Sequence, residues 1–302
     1  MKEPLYNLAI LRPGSKTNRQ IYFETSTLHQ KFRIVYVGKN ATPIYNKNSE
    51  YPHVFCQLKG KLKANPQIIL DNINYINKLC GRRKNIIFGC FDKTPKKLYD
   101  LSYELKKHFD NIFLEALDRD DPNIKTFPFG FIFSYVKEFN KDVFSKLINC
   151  SYNIQKEKLI GTAFGRQWPK LSNRLSDRIN ILEAIAHNKL IENFYCDFSE
   201  YHIKKSQYLY FASPRGKGIQ SPKICESLMC ETVPVLTDAP YARQLRDLHN
   251  LPIYIIDEWE NLNENHLIET YENKYKNYDW CSLKKRFHIN NFIDEFLNKS
   301  NT

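Results

Sequence analysis

Apolar runs of strand length alternate along the chain with polar turns and with stretches whose apolar residues recur at helical spacing. In the first half the runs are residues 5–11, 32–37, 52–57, 85–91 and 112–117. Between them, 67–80 carries Ile68, Ile69, Ile73 and Ile76 at helical spacing, and 98–109 reads as a further helix. Residues 143–148 predict a helix that leads into the polar segment 151–157, where the boundary between two halves is expected. The second half repeats the alternation: a strand over 158–164, a helix over 177–187, then 190–198 leading to strands at 208–212, 233–236 and 252–256. From about residue 262 the chain is lysine-rich and helical, over 271–280 and 281–297, with Phe287, Phe292 and Phe296 as a buried stripe. Alternation of this kind predicts an α/β protein with parallel sheets.

The stretch 208–238 concentrates the chemistry. A buried strand (208–212) ends at Ser213-Pro214-Arg215-Gly216-Lys217-Gly218, which puts two glycines and two cations in one loop. Ser221 follows as a helix N-cap with Pro222 at the first helical position. In the helix, Ile224 and Leu228 fall on one side, while Lys223, Glu226 and Ser227 fall together on another. In an open α/β sheet, ligands bind outside the carboxyl ends of the strands. Arg215 and Lys217 at that edge suit a diphosphate, and Glu226 suits sugar hydroxyls. The plain alternative is a solvated basic loop before an amphipathic helix; the agreement of several local features favours the ligand site.

Composition bounds the rest. With 302 residues and 42% hydrophobic content, the chain is long enough for two globular domains. A net charge of +12 asks for an anionic partner, whether nucleic acid, phosphorylated donor, acidic polysaccharide or membrane headgroups. For nucleic acid, Arg82-Arg83-Lys84 and the lysines 59, 61 and 63 are available, yet no helix-turn-helix, zinc or RNP-type signature accompanies them. The expectation is therefore no nucleic-acid partner. No apolar run has spanning length, so no transmembrane segment is expected, with peripheral membrane contact left open. The eight cysteines lack a Cys-x-x-Cys pair and read as thiols of a reducing, cytoplasmic compartment. Asp118-Arg119-Asp120-Asp121 follows an apolar run, as a metal-binding Asp-x-Asp would, but the motif is short and reads better as a polar turn before Pro122. Phe127, Phe129 and Phe131 lie in a loop that would either line an acceptor cleft or plug an interface.

The segment SPRGKGIQSPKICESLMCETVPVL resembles the core motif of the exostosin-like glycosyltransferases, through Pro214-Arg215-Gly216, Lys223, Glu226-Ser227-Leu228 and Pro234-Val235-Leu236. Ser227 stands where that family has alanine, and Glu231 where it has a turn glycine. The likeness covers about 155–260, and a weaker one runs to fucosyltransferase-like enzymes. It implies a GT-B-like fold, two Rossmann-like domains facing a central cleft. Residues 1–155 would form the acceptor-side domain and 156–264 the nucleotide-sugar domain, while 265–302 would be helices packing back on the first. It further implies a UDP- or GDP-sugar donor, a saccharide acceptor, inversion at the anomeric carbon and no divalent metal. Donor contacts would come from Arg166, Arg215, Gly216, Lys217, Gly218, Ser221, Lys223 and Glu226, with Arg174 and Arg178 as lesser companions. The general base would be Asp92 or Glu115, and the sequence does not choose between them. A degenerate scaffold that binds glycan without turnover is the rival raised by Ser227 and Glu231.

Overall fold

A computed structural model describes residues 7–11, 33–36, 53–57, 65–71, 73–80, 85–89, 96–128, 154–163, 181–184, 189–215, 219–287 and 292–297. The chain divides into two compact units, Met1–Phe127 and Pro128–Thr302. Each is built on a wholly parallel sheet, as the alternating pattern requires.

In the first unit, β1 (Asn7–Leu11), β2 (Arg33–Tyr36), β3 (His53–Gln57), β4 (Asn85–Gly89), β5 (Asn111–Leu114) and β6 (Ile124–Thr126) form a sheet in the order β2-β1-β3-β4-β5-β6. Helical turns α1 (Ile68–Asp71), α2 (Ile73–Cys80), α3 (Lys96–Asp100) and α4 (Ser102–Lys106) lie between the strands in sequence. Every residue of β4 and β5 is buried, the signature of a sheet covered on both faces. Asn85 and Asn111, paired in register at the strand starts, are joined by a 2.8 Å side-chain hydrogen bond, and Lys125 donates to the same Asn111 at 3.0 Å. The sequence gives no hint of β6. The strand is three residues long, and it draws Phe127 into the core at 0% exposure, edge-on to Phe113. Phe127 therefore does not line a cleft, which corrects one of its two readings; Phe129 and Phe131 lie outside the described residues.

In the second unit, β7 (Lys158–Thr162), β8 (Ile191–Asn193), β9 (Tyr208–Ala212), β10 (Val233–Thr237) and β11 (Tyr254–Ile256) are ordered β11-β10-β9-β7-β8. The helices are α5 (Phe198–Ser206), α6 (Lys223–Met229), α7 (Pro240–Asp247), α8 (Glu264–Thr270), α9 (Trp280–Phe287) and α10 (Phe292–Leu297). The helix read over 271–280 is a π turn at Tyr271–Tyr275, where Lys276 N–H reaches the Tyr271 carbonyl at 2.9 Å. Tyr271 and Tyr275 both stand edge-on to Tyr210, whose hydroxyl donates to the Leu267 carbonyl at 2.8 Å.

Both sheets share one topology among the described residues. Taken in chain order within each unit, the first strand lies between the second and the third. The direction of winding thus reverses between the first and third strands, β1 and β3 in one unit and β7 and β9 in the other. In open α/β sheets such a reversal is where ligands bind, outside the carboxyl ends of the two strands. In the second unit the two strands pair directly, and Gly161 of β7 leaves room on the sheet face for an aromatic ring. A Cβ there would sit 2.7 Å from the ring of Tyr208, the first residue of β9.

Candidate functional site

At the β7/β9 switch the loop leaving β9 rises steadily out of the core. Ser213 is 0% exposed, Pro214 is buried and Arg215 is exposed. The strand ends are tied laterally, since Thr162 Oγ1 donates to the Ala212 carbonyl at 3.3 Å and Ser213 N–H to the Val235 carbonyl at 3.0 Å. Lys223, at the start of α6, sends its ammonium across the switch to the Ala163 carbonyl just past β7. Ser221 Oγ accepts the Lys223 N–H at 3.3 Å, but the helix starts one residue later than the sequence predicts, with Pro222 at the cap position and no side-chain cap bond. Ser221 and Lys223 are thus tied to each other and to the end of β7, while Arg215 follows the carboxyl end of β9. Gly216, Lys217, Gly218 and Arg166 lie outside the described residues, as do Arg174 and Arg178.

Glu226 is less exposed than the helix pattern suggests. All of α6 after Lys223 is buried, including the side read as polar, with Glu226 at 7% and Ser227 at 0% exposure. The cover on the Glu226 side is α5. Glu226 Oε2 accepts from the Lys205 ammonium and from the Tyr201 hydroxyl, each at 3.3 Å. Lys205 is 0% exposed, and its ammonium also stacks on the faces of Phe211 at 4.2 Å and Tyr201 at 4.5 Å. Its backbone carbonyl accepts from Thr232 Oγ1, so the side chain runs up the sheet from the amino end toward the fourth residue of β9. Burial pushes the Lys205 pKa down, and the neighbouring Glu226 works against that shift. Tyr201 is pushed well up by burial and then by Glu226, so it is a hydroxyl donor at neutral pH. His202 beside it is pushed down to about 2, by burial and then by Lys205, and is neutral. Sequence reasoning missed Lys205 and Tyr201 because α5 went unread. The signal available was Phe198, Tyr201, His202 and Lys205 at spacings of three, four and seven, with a lysine standing in an apolar series.

Two further polar clusters brace the opposite side of the unit. Lys156 donates to the carbonyls of Ser206 and Tyr208 at 3.1 and 3.0 Å and to Thr232 Oγ1 at 3.2 Å. Glu231 occupies the left-handed region at φ 57, the conformation for which a glycine was expected at this position. Its carboxylate meets the buried Lys284 of α9 at 2.6 Å. Arg286 of the same helix donates to the His249 carbonyl, and Phe287 packs on Phe296, so these described C-terminal residues bind to the second unit's own elements.

In the first unit, Glu115 follows β5 directly, 3% exposed, with its N–H on the Phe88 carbonyl at 3.1 Å. That is two strands away from the β1/β3 switch. Asp92 is outside the described residues. In the acidic turn, Asp118 accepts from the Tyr99 hydroxyl at 2.6 Å, and Asp121 accepts from Ser102 Oγ at 3.1 Å. Arg119 lies over the Tyr99 ring at 4.3 Å, so the turn clamps α3 and α4 to the sheet. Among the described residues no group of three or more His, Cys, Asp or Glu is arranged to hold a metal ion, and no helix is long and apolar enough to cross a membrane.

No protein-family model matches the chain, and no curated protein matches it. Among solved structures it is similar to the crystal structure of the GtfA/B complex, at 11% identity and a TM-score of 0.34. That alignment covers 82% of this chain and 55% of the other, so the chain spans little more than half the length of that protein.

Proposed function

We propose that this chain is a cytoplasmic glycosyltransferase that moves a sugar from a nucleotide-sugar donor to a hydroxyl of a saccharide acceptor. The observation that carries the proposal is an exposed Arg215 in the loop that leaves β9 at the switch point of the second unit's parallel sheet, followed on the next helix by a carboxylate, Glu226, held by Lys205 and Tyr201. A cation there stabilises the charge that develops on the leaving diphosphate, the largest electrostatic demand of the reaction. Arg215 is the principal group, with Arg166, Gly216, Lys217 and Gly218 as its proposed companions. Lys223 holds the end of β7. Glu226 accepts hydrogen bonds from donor hydroxyls.

The proposed enzyme has the GT-B architecture and inverts the anomeric carbon without a divalent metal. The acceptor oxygen loses its proton to a general base and forms the new bond to that carbon, and the bond to the diphosphate breaks with its electron pair. A base must come within hydrogen-bond reach of the acceptor hydroxyl. Asp92 is proposed as that base ahead of the buried Glu115.

The test is a thermal-shift and calorimetric screen against UDP- and GDP-sugars, with and without Mn²⁺. A donor present at a hundred times its Kd raises the unfolding free energy by about 2.7 kcal/mol. Stabilisation by at least one nucleotide sugar, lost in Arg215→Ala, is the expected result. Binding to mixed-sequence DNA or RNA, weakening with salt and without any nucleotide-sugar affinity, overturns the proposal.

A further inference from the structure

We infer that Lys205 is a positioning residue, which with Tyr201 fixes one oxygen of Glu226 so that the other is presented to the ribose hydroxyl pair of the donor nucleotide. The inference rests on the nucleotide-sugar reading of the second unit. Both hydrogen bonds to Glu226 fall on Oε2, and Oε1 accepts none from the described residues. A carboxylate has acceptor sites on both oxygens, and the residue keeps 7% of its surface in contact with solvent. The geometry therefore leaves one oxygen anchored and one available.

A purely structural explanation fits Lys205 poorly. Burying an ammonium costs several kcal/mol, and an apolar pair of similar volume serves packing as well or better. The lysine is enclosed on its other sides by the rings of Phe211 and Tyr201, so Glu226 is the acceptor toward which its charge is aimed. A rigidly anchored oxygen also suits a partner that stays still during transfer. The ribose does so, whereas the glycosyl group moves toward the acceptor.

The experiment is a binding cycle using UDP, GDP, their 2′,3′-dideoxy analogues and inorganic pyrophosphate, measured calorimetrically on the parent, Lys205→Met and Tyr201→Phe. The parent should prefer the hydroxylated nucleotide by roughly ten- to a hundredfold, the range of a hydrogen bond to a charged group. In Lys205→Met that preference should collapse toward unity while pyrophosphate binding, which depends on Arg215, is unchanged. Simple unfolding would remove both. Tyr201→Phe buries no new charge and keeps the test open if Lys205→Met fails to fold; its preference should fall by about threefold to tenfold. Equal discrimination in the parent and the folded variants overturns the positioning role and leaves the function standing. If the parent binds none of the nucleotides, it is the functional proposal that fails.

Discussion

Two lysines of the second unit, the half-buried Lys156 and the buried Lys205, serve different ends. Lys156 sits where β9 and β10 begin, and it spends its three protons on two backbone carbonyls and a threonine hydroxyl. Lys205 bonds a single carboxylate and faces two aromatic rings. The first arrangement adds donors at strand ends, sharing the Tyr208 carbonyl with Thr232 Oγ1, and it needs hydrogen-bond donors more than it needs charge. The second is an ion pair in a dry environment, where each charge depends on the other. Position alone does not separate them; the chemistry of their acceptors does.

Breaking the ion pair should give the largest effect. Lys205→Met leaves the buried Glu226 without its cationic partner and should cost about 3–5 kcal/mol in urea denaturation. Lys205→Met combined with Glu226→Leu should recover most of that loss. A double variant as unstable as the single one would show that the pair is not the source. Next is Gly161→Ala, whose new Cβ has to displace the Tyr208 ring stacked against Phe194 at 5.6 Å. Overpacking of this kind costs about 1–3 kcal/mol, read as a lowered urea midpoint. Glu231→Gly relieves a left-handed backbone worth about 1–2 kcal/mol but strands Lys284, so a net loss of about 1–3 kcal/mol is expected. In a Lys284→Met background the same substitution should turn stabilising, which thermal denaturation would reveal.

The smallest effect is a change of slope. Burial lowers the Lys156 pKa from its ordinary 10.5 to about 8. Below about pH 8 both folded and unfolded chains hold the proton, and the burial cost is felt in full. Between about 8 and 10.5 the unfolded chain binds more protons, so this lysine's contribution to stability rises with pH. Relative to Lys156→Met, the parent should gain stability across that window. A pH-independent difference between the two would show that Lys156 is not perturbed.

Much of this was legible in the sequence for a physical reason. β9 and β10 are uninterrupted apolar runs bounded by turn residues, and their limits fall where the pattern ends, within a residue. Strand order was not legible, since the placement of β7 between β8 and β9 depends on contacts distant along the chain. Nor was β6, whose three residues carry a lysine in the middle. The polar side of α6 looked solvated because nothing local reveals that α5 covers it. Lys205 was hidden by its own type, because lysine in an apolar series reads as surface unless its carboxylate partner is known. Glu231 looked like a defect in a glycine turn. It keeps the glycine conformation and adds an ion pair to α9.

The central claim is that the β7/β9 switch binds a nucleotide sugar through Arg215 and Glu226. Calorimetric titration of UDP and GDP into the parent and into Arg215→Ala tests it most directly. Saturable binding to the parent that falls at least tenfold in a folded Arg215→Ala is the expected result. Equal affinities in the two proteins, or no binding of either nucleotide to the parent, would contradict it.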